Sequence, residues 1–183
     1  IIKAFFWHIH PRLARESGAT LGYEAAVAGG VPVIRTLRDA LAPTGVTAIR
    51  GILNGTTNFV LTRMHEGARF TDALAEAQAL GFAEADPTRD LDGTDAADKI
   101  AILAWQAFGV RPDRLRIDQT GLVPAPERIV ADAHALGGVA RLLAECVLLP
   151  TGVAAAVEPV IVSADSILAG ASAEENVVEI ATR

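Results

Sequence analysis

The chain has 183 residues, 51% of them hydrophobic, and a formal net charge of −6. That length and composition support one substantial core; no apolar run reaches the length of a membrane span and no signal-peptide pattern opens the chain, so a cytoplasmic home is the default. The acidic balance argues against nucleic acid as a partner, and the single cysteine, Cys146, excludes an internal disulfide and, with four dispersed histidines, argues against a zinc site.

The predicted elements begin with a strand over Thr20–Glu24. Gly29-Gly30 then lets the chain bend before Pro32 opens a helix over Pro32–Leu41, whose apolar positions Val33, Ile34, Leu37 and Leu41 fall at helical spacing. Such a bend can aim several carbonyl oxygens at one point, the donor type that suits a hard cation. The same residues also make a plain helix-entry turn. A strand over Val46–Leu53 and helices over Thr57–Glu66 and Thr71–Leu80 follow, the helices closed by Gly67 and Gly81. Asp92-Gly93-Thr94 reads as a helix start, and Ala96, Ile100, Leu103 and Ala107 form one stripe over Asp95–Phe108 before Gly109 and Pro112 stop it. A helix over Pro126–Leu136 precedes two long apolar strands, Ala140–Leu149 and Val153–Val162, joined by a Pro150-Thr151-Gly152 hairpin turn, with Cys146 as a buried strand residue. A strand over Val177–Ala181 completes the set. These elements predict an α+β domain with a mixed or mainly antiparallel sheet and helices packed on one face.

The chemistry concentrates between Gly81 and Lys99. This stretch holds six carboxylates and ends on one of only two lysines in the chain, while arginine carries nearly all the remaining positive charge. An ammonium can give up its proton when desolvated and a guanidinium cannot, which makes Lys99 a candidate proton-transfer group. Asp95 and Lys99 stand four residues apart and share a helix face one turn above its start, where backbone N–H groups suit a carboxylate. Glu84, upstream, can fold over the same spot. A calcium loop centred on Asp90-Leu91-Asp92-Gly93 fails, because Thr88 and Lys99 occupy its first and twelfth positions. Residue types alone also fit a solvated capping cluster with a surface ion pair.

Three segments in order, Tyr23-Glu24-Ala25-Ala26-Val27-Ala28-Gly29-Gly30-Val31-Pro32, Gly51-Ile52-Leu53-Asn54-Gly55-Thr56-Thr57-Asn58 and Gly81 to Lys99, closely resemble successive motifs of homoserine dehydrogenase. The resemblance runs from about Pro11 to Thr182. It implies the substrate-binding, catalytic and dimerisation region of an enzyme that interconverts L-homoserine and L-aspartate 4-semialdehyde with NAD or NADP, in threonine, methionine and isoleucine biosynthesis. By motif match, Glu84, Asp95 and Lys99 become the catalytic residues that hold the amino acid and handle the proton, with Asp90 a further substrate contact. Gly55 and Thr56 match the turn beside substrate and nicotinamide. Phe82 stands where many members carry tyrosine, so a hydroxyl contact of some relatives is missing here. Glu24 and the backbone of Val27, Gly29 and Val31 match the family's ligands for a monovalent cation, usually sodium. A homodimer is implied as well.

Residues 1–10 do not match the family, and Lys3 does not align with the lysine that relatives carry near this point. No Gly-x-Gly-x-x-Gly follows a strand, so a dinucleotide-binding domain is expected to be missing from these residues, with 11–183 forming the substrate domain. The chain by itself is expected to lack turnover. The rival reading is an amino-acid-binding or dimerisation module without redox chemistry.

Overall fold

The computed structural model describes residues 13–14, 16–41 and 44–183; the unmatched segment 1–10, with Lys3, lies outside them. Five strands form one mixed sheet: β1 (Val46–Ile52), β2 (Asp118–Gln119), β3 (Gly138–Leu149), β4 (Gly152–Ser163) and β5 (Val177–Thr182), in the spatial order β2-β4-β3-β1-β5. β3 and β4 make the predicted hairpin, with Leu149 opposite Gly152 across the Pro150-Thr151 turn. β1 lies antiparallel between β3 and β5, and only β2 runs parallel to its neighbour β4. The β1–β3 register is reinforced by Arg50, which donates to Glu145 directly opposite at 2.7 Å.

Period-two alternation sets the faces. Ala140, Leu142, Ala144 and Cys146 are buried on one face of β3, where α2 (Gly55–His65), α5 (Thr94–Phe108) and α6 (Pro126–Leu136) pack. The small alanines let α5 sit close, and its predicted stripe supplies Ile100 and Leu103, both fully buried against Ile49, Leu53 and Val157. Each of those two side chains contributes about 2 to 3 kcal/mol of burial. α3 (Phe70–Ala79) closes a second cluster with α2 and α6 through Ala73 and Ala77. α4 (Thr88–Leu91) is a single turn that the pattern did not predict, as is the two-residue strand β2.

Two expectations near the start need correction. Thr20–Glu24 is not a strand: residues 20–23 are irregular and Glu24–Ala26 form a 3-10 turn. Tyr23 leaves the extended path to stack on Trp105, centroids 6.0 Å apart, and to donate to Gln106 at 2.9 Å. The helix expected over Pro32–Leu41 is α1 (Val33–Arg35), which widens into a π-helical turn over Thr36–Ala40 where the Leu41 N–H reaches back to the Thr36 carbonyl.

The other sheet face is partly covered by segment 164–172, whose Leu168 and Ala171 pack on Ile52, Leu143, Val162 and Val177. Arg141, 3% exposed, points there from β3 and donates to the carbonyls of Ala140, Leu168, Ala169 and Ala171. At the start of the same strand the Ala140 N–H donates to His65 Nε2 at 2.8 Å, and the His65 ring meets His134 edge-on at 4.9 Å. Burial, then His134 and Arg141, hold the His65 imidazole below its ordinary value of 6.5.

Only neutral His65 can accept at Nε2, so the native state takes up its proton less readily than the unfolded chain. Stability from this bond is complete above 6.5 and is lost as pH falls through the lower native value. Thermal melts are expected to drop over this window in the natural chain and less steeply in His65→Gln, whose amide oxygen accepts without titrating. Equal slopes would exclude this role.

Candidate active site

The site forms where β1 hands over to α2. Asn54 caps α2: its Oδ1 accepts from the Thr57 N–H and the Thr57 hydroxyl, both at 2.8 Å. The amide nitrogen is thereby turned the other way, donating to Asp90 Oδ1 at 2.7 Å and Asp95 Oδ2 at 2.9 Å. Asp90 arrives on α4 and Asp95 in the first turn of α5. Between them Gly93 adopts φ 84°, a left-handed conformation that suits glycine, and Asp92 Oδ1 accepts from the Thr94 N–H at 2.8 Å. The corner is held down by Gly121, where any Cβ would collide with the backbone of Leu91 and Asp92.

Lys99 and Asp95 form the predicted i,i+4 pair, Nζ to Oδ2 at 2.6 Å. It is not a loose surface bridge, because the Lys99 ammonium also donates to the Leu53 carbonyl at 2.8 Å and the two side chains are only 23% and 28% exposed. Successive residues at the end of β1 therefore grip both partners, Leu53 the lysine and Asn54 the aspartate.

Gly55, Thr56, Phe82, Glu84, Asp90, Asp95 and Lys99 all line one cleft of about 350 Å³. The structure thus gathers every residue predicted to meet the substrate. Glu84 is exposed in the loop after α3, which Gln78 steadies by donating to the Glu84 carbonyl at 3.1 Å. The Thr56 hydroxyl donates to the Phe82 carbonyl at 2.6 Å, and the Phe82 ring packs on Phe59 with centroids 5.1 Å apart. Burial pushes the Asp90 carboxyl up, opposed by the hydrogen bond from Asn54 and assisted by the charge of Asp95. Asp98 is also pushed up by burial, against the pull of Arg89, which donates to it at 2.7 Å. A second cleft of about 500 Å³ opens on Asp95 and Lys99 and is lined also by Tyr23, Glu24 and Asp98.

Glu24, the predicted cation ligand, caps α1, accepting from the N–H groups of Ile34 at 2.8 Å and Arg35 at 3.0 Å. The bend expected at Gly29-Gly30 starts one residue earlier, with Ala28 and Gly29 both left-handed at φ 56° and 55°. Val27 is fully buried, and among the described residues no backbone hydrogen bond ends on its carbonyl or on that of Gly29. The Val31 carbonyl accepts from Val33 at 2.8 Å. A carboxylate and backbone carbonyls are the donor types that suit a hard monovalent cation. Among the described residues no group of three His, Cys, Asp or Glu side chains is placed for a metal, and no helix is long and apolar enough to cross a membrane.

Sequence reasoning missed Asn54, Arg89 and Glu174, which line the same cleft as Glu84 and Lys99. The Asn-Gly-Thr-Thr run carries an N-cap signal that points to Asn54, but its amide partners lie 36 and 41 residues away.

Homoserine dehydrogenase of Pseudomonas aeruginosa is 41% identical over 168 residues, covering 91% of this chain and 39% of that protein. That of Synechocystis is 48% identical over 132 residues, covering 72% of this chain and 30% of its own length. The crystal structure of a homoserine dehydrogenase from Thiobacillus denitrificans superposes with a TM-score of 0.89 at 35% identity, over 98% of this chain and 42% of that one. The chain therefore spans about two-fifths of the length of several such relatives. A family model for homoserine dehydrogenase matches residues 32–183, a span that contains Asn54, the acidic corner and Lys99, and so the chain belongs to the homoserine dehydrogenase family.

Proposed function

We propose that this chain is the substrate-binding and catalytic domain of a homoserine dehydrogenase, interconverting L-homoserine and L-aspartate 4-semialdehyde with NAD or NADP. The observation that carries this reading is the Lys99 ammonium, held by Asp95 and the Leu53 carbonyl at the wall of the acidic cleft. The carboxylates of Glu84 and Asp90 hold the ammonium of the amino acid, which sets its hydroxyl toward Lys99. In oxidation, neutral Lys99 accepts the hydroxyl proton at Nζ as the carbon–oxygen double bond forms. In reduction, the ammonium returns that proton to the aldehyde oxygen. Asp95 and Leu53 keep Nζ in place in both directions. The nicotinamide, when bound, supplies the hydride acceptor or donor; Gly55 and Thr56 are the residues here that would lie against it.

Glu24 and the carbonyls of Val27, Gly29 and Val31 would hold sodium, which adds a fixed positive charge to the bend ahead of α1. A cytoplasmic homodimer is part of the same proposal. Alanines at 154 and 156, on the sheet face away from the helices, suit close approach of a second copy.

Calorimetric titration of L-homoserine into the chain and into Glu84→Ala tests the substrate assignment. Binding is expected in the first and should weaken by about tenfold or more in the second, the usual loss for a charge-assisted contact. Equal affinity would remove Glu84 from the site. Homoserine affinity without turnover in a full-length enzyme carrying this domain would favour the binding-module reading.

A further inference from the structure

Asp90 and Asp95 pose a problem that the reaction scheme leaves unsolved. Their carboxylate oxygens lie 2.7 and 2.9 Å from one and the same nitrogen, and both acids line the cleft that Lys99 faces. Two carboxylates crowded into a half-buried site normally share a proton, because the second charge is repelled by the first. A shared proton would leave a single negative charge for two positive partners, the substrate ammonium and Lys99.

The Asn54 amide has the chemistry to prevent this. It carries two N–H groups, and each goes to a different carboxylate. It cannot turn over, because Thr57 donates twice to its oxygen, and a flipped amide would set that oxygen against both acids. Asn54 is 4% exposed, so water does not compete freely for its protons. The adjoining Leu53 carbonyl fixes Lys99, so one dipeptide sets the positions of the base and of both acids.

We infer that Asn54 is a positioning residue whose locked amide holds Asp90 and Asp95 side by side as two carboxylates, so that the cleft presents a charge to the substrate ammonium and another to Lys99. The cap to α2 is the structural half of its work and the double donation the functional half. Its meaning for catalysis rests on the homoserine reading above; the electrostatic bridge itself does not.

Asn54→Ser separates the two halves, since a serine hydroxyl can still accept from the Thr57 N–H but is too short to bridge the acids. Carbon NMR of aspartate carboxyl groups in this chain is the readout. The Asp90 midpoint is expected to rise by about one pH unit in Asn54→Ser, the equivalent of one lost charge-assisted hydrogen bond. An unchanged midpoint in a folded variant would overturn the inference. In the unaltered chain the Asn54 side-chain amide protons should shift with the Asp90 titration, and silent amide protons would overturn it whether or not the variant folds. The pH at which L-homoserine affinity is half lost should rise together with the Asp90 midpoint. A shifted midpoint with no homoserine binding to either chain would uphold the bridge and refute the substrate.

Discussion

Replacing Lys99 by alanine in a full-length enzyme that carries this domain is expected to lower kcat by about two to four orders of magnitude, the usual range for removing a positioned acid–base group. Lys99 is placed by two bonds, to Asp95 in the first turn of α5 and to the carbonyl of Leu53 just after β1. No other lysine is present among the described residues to replace it. On the proposed reading Glu84 and Asp90 carry most of the hold on the amino acid's ammonium, so KM for L-homoserine should change much less than kcat. Lys99→Arg should not restore the rate: a guanidinium keeps its proton throughout the working pH range and its planar fork cannot occupy the same two-point site. A Lys99→Ala enzyme with ordinary kcat would refute the assignment. A rise in KM at constant kcat would move Lys99 into simple substrate binding.

The second large effect concerns stability. Arg141→Met is expected to destabilise the domain by roughly 3 kcal/mol, because a buried carbonyl left without its donor costs about 1 to 3 kcal/mol and not all the freed carbonyls can find water. The guanidinium serves the carbonyls of Ala140, Leu168, Ala169 and Ala171. Burial lowers its pKa, yet a guanidinium retains its charge in a folded protein. Three of the four carbonyls belong to the 164–172 segment, so its loss should also loosen that segment from the sheet before the whole domain unfolds. Glu174 and Glu175 follow one residue later. The Glu175 carbonyl accepts from Asn58 at 3.3 Å, and a Cβ on Gly55 would approach the Glu174 carbonyl at 2.9 Å. Release of the segment should therefore reach the cleft lined by Gly55 and Glu174. Denaturant unfolding measures the first effect and limited proteolysis within 164–172 the second. An unchanged midpoint and an unchanged cleavage rate would show that the carbonyls are satisfied without the arginine. For a domain whose total stability is on the order of 5 to 15 kcal/mol, the expected loss is a large fraction.

Much of the fold was legible because its signals are local. The stripe Ala96, Ile100, Leu103 and Ala107 marks α5 within a residue of its observed start, and Pro150-Thr151 between two apolar runs marks the β3–β4 hairpin. The motifs that carry the family resemblance lie in three short stretches, and Gly55, Thr56, Phe82, Glu84, Asp90, Asp95 and Lys99, drawn from two of them, line one cleft. Periodicity misled where a distant partner outweighed it: Tyr23 sits in a strand-like run, but Trp105 and Gln106, more than eighty residues on, take its ring and hydroxyl. The strand β2 was invisible because two polar residues become a strand only when β4 offers an open edge.

The sequence alone determined most of the periodic elements and the i,i+4 spacing of Asp95 and Lys99, since each depends on side-chain type and on neighbours within a few positions. Only the tertiary structure decided that Leu53 and Asn54 reach across to Lys99, Asp90 and Asp95, and that a buried arginine ties segment 164–172 to the sheet. Those contacts join residues about 28 to 46 positions apart. Their hydrogen-bond geometry depends on how the sheet, the helices and the covering segment settle together, which no local pattern encodes.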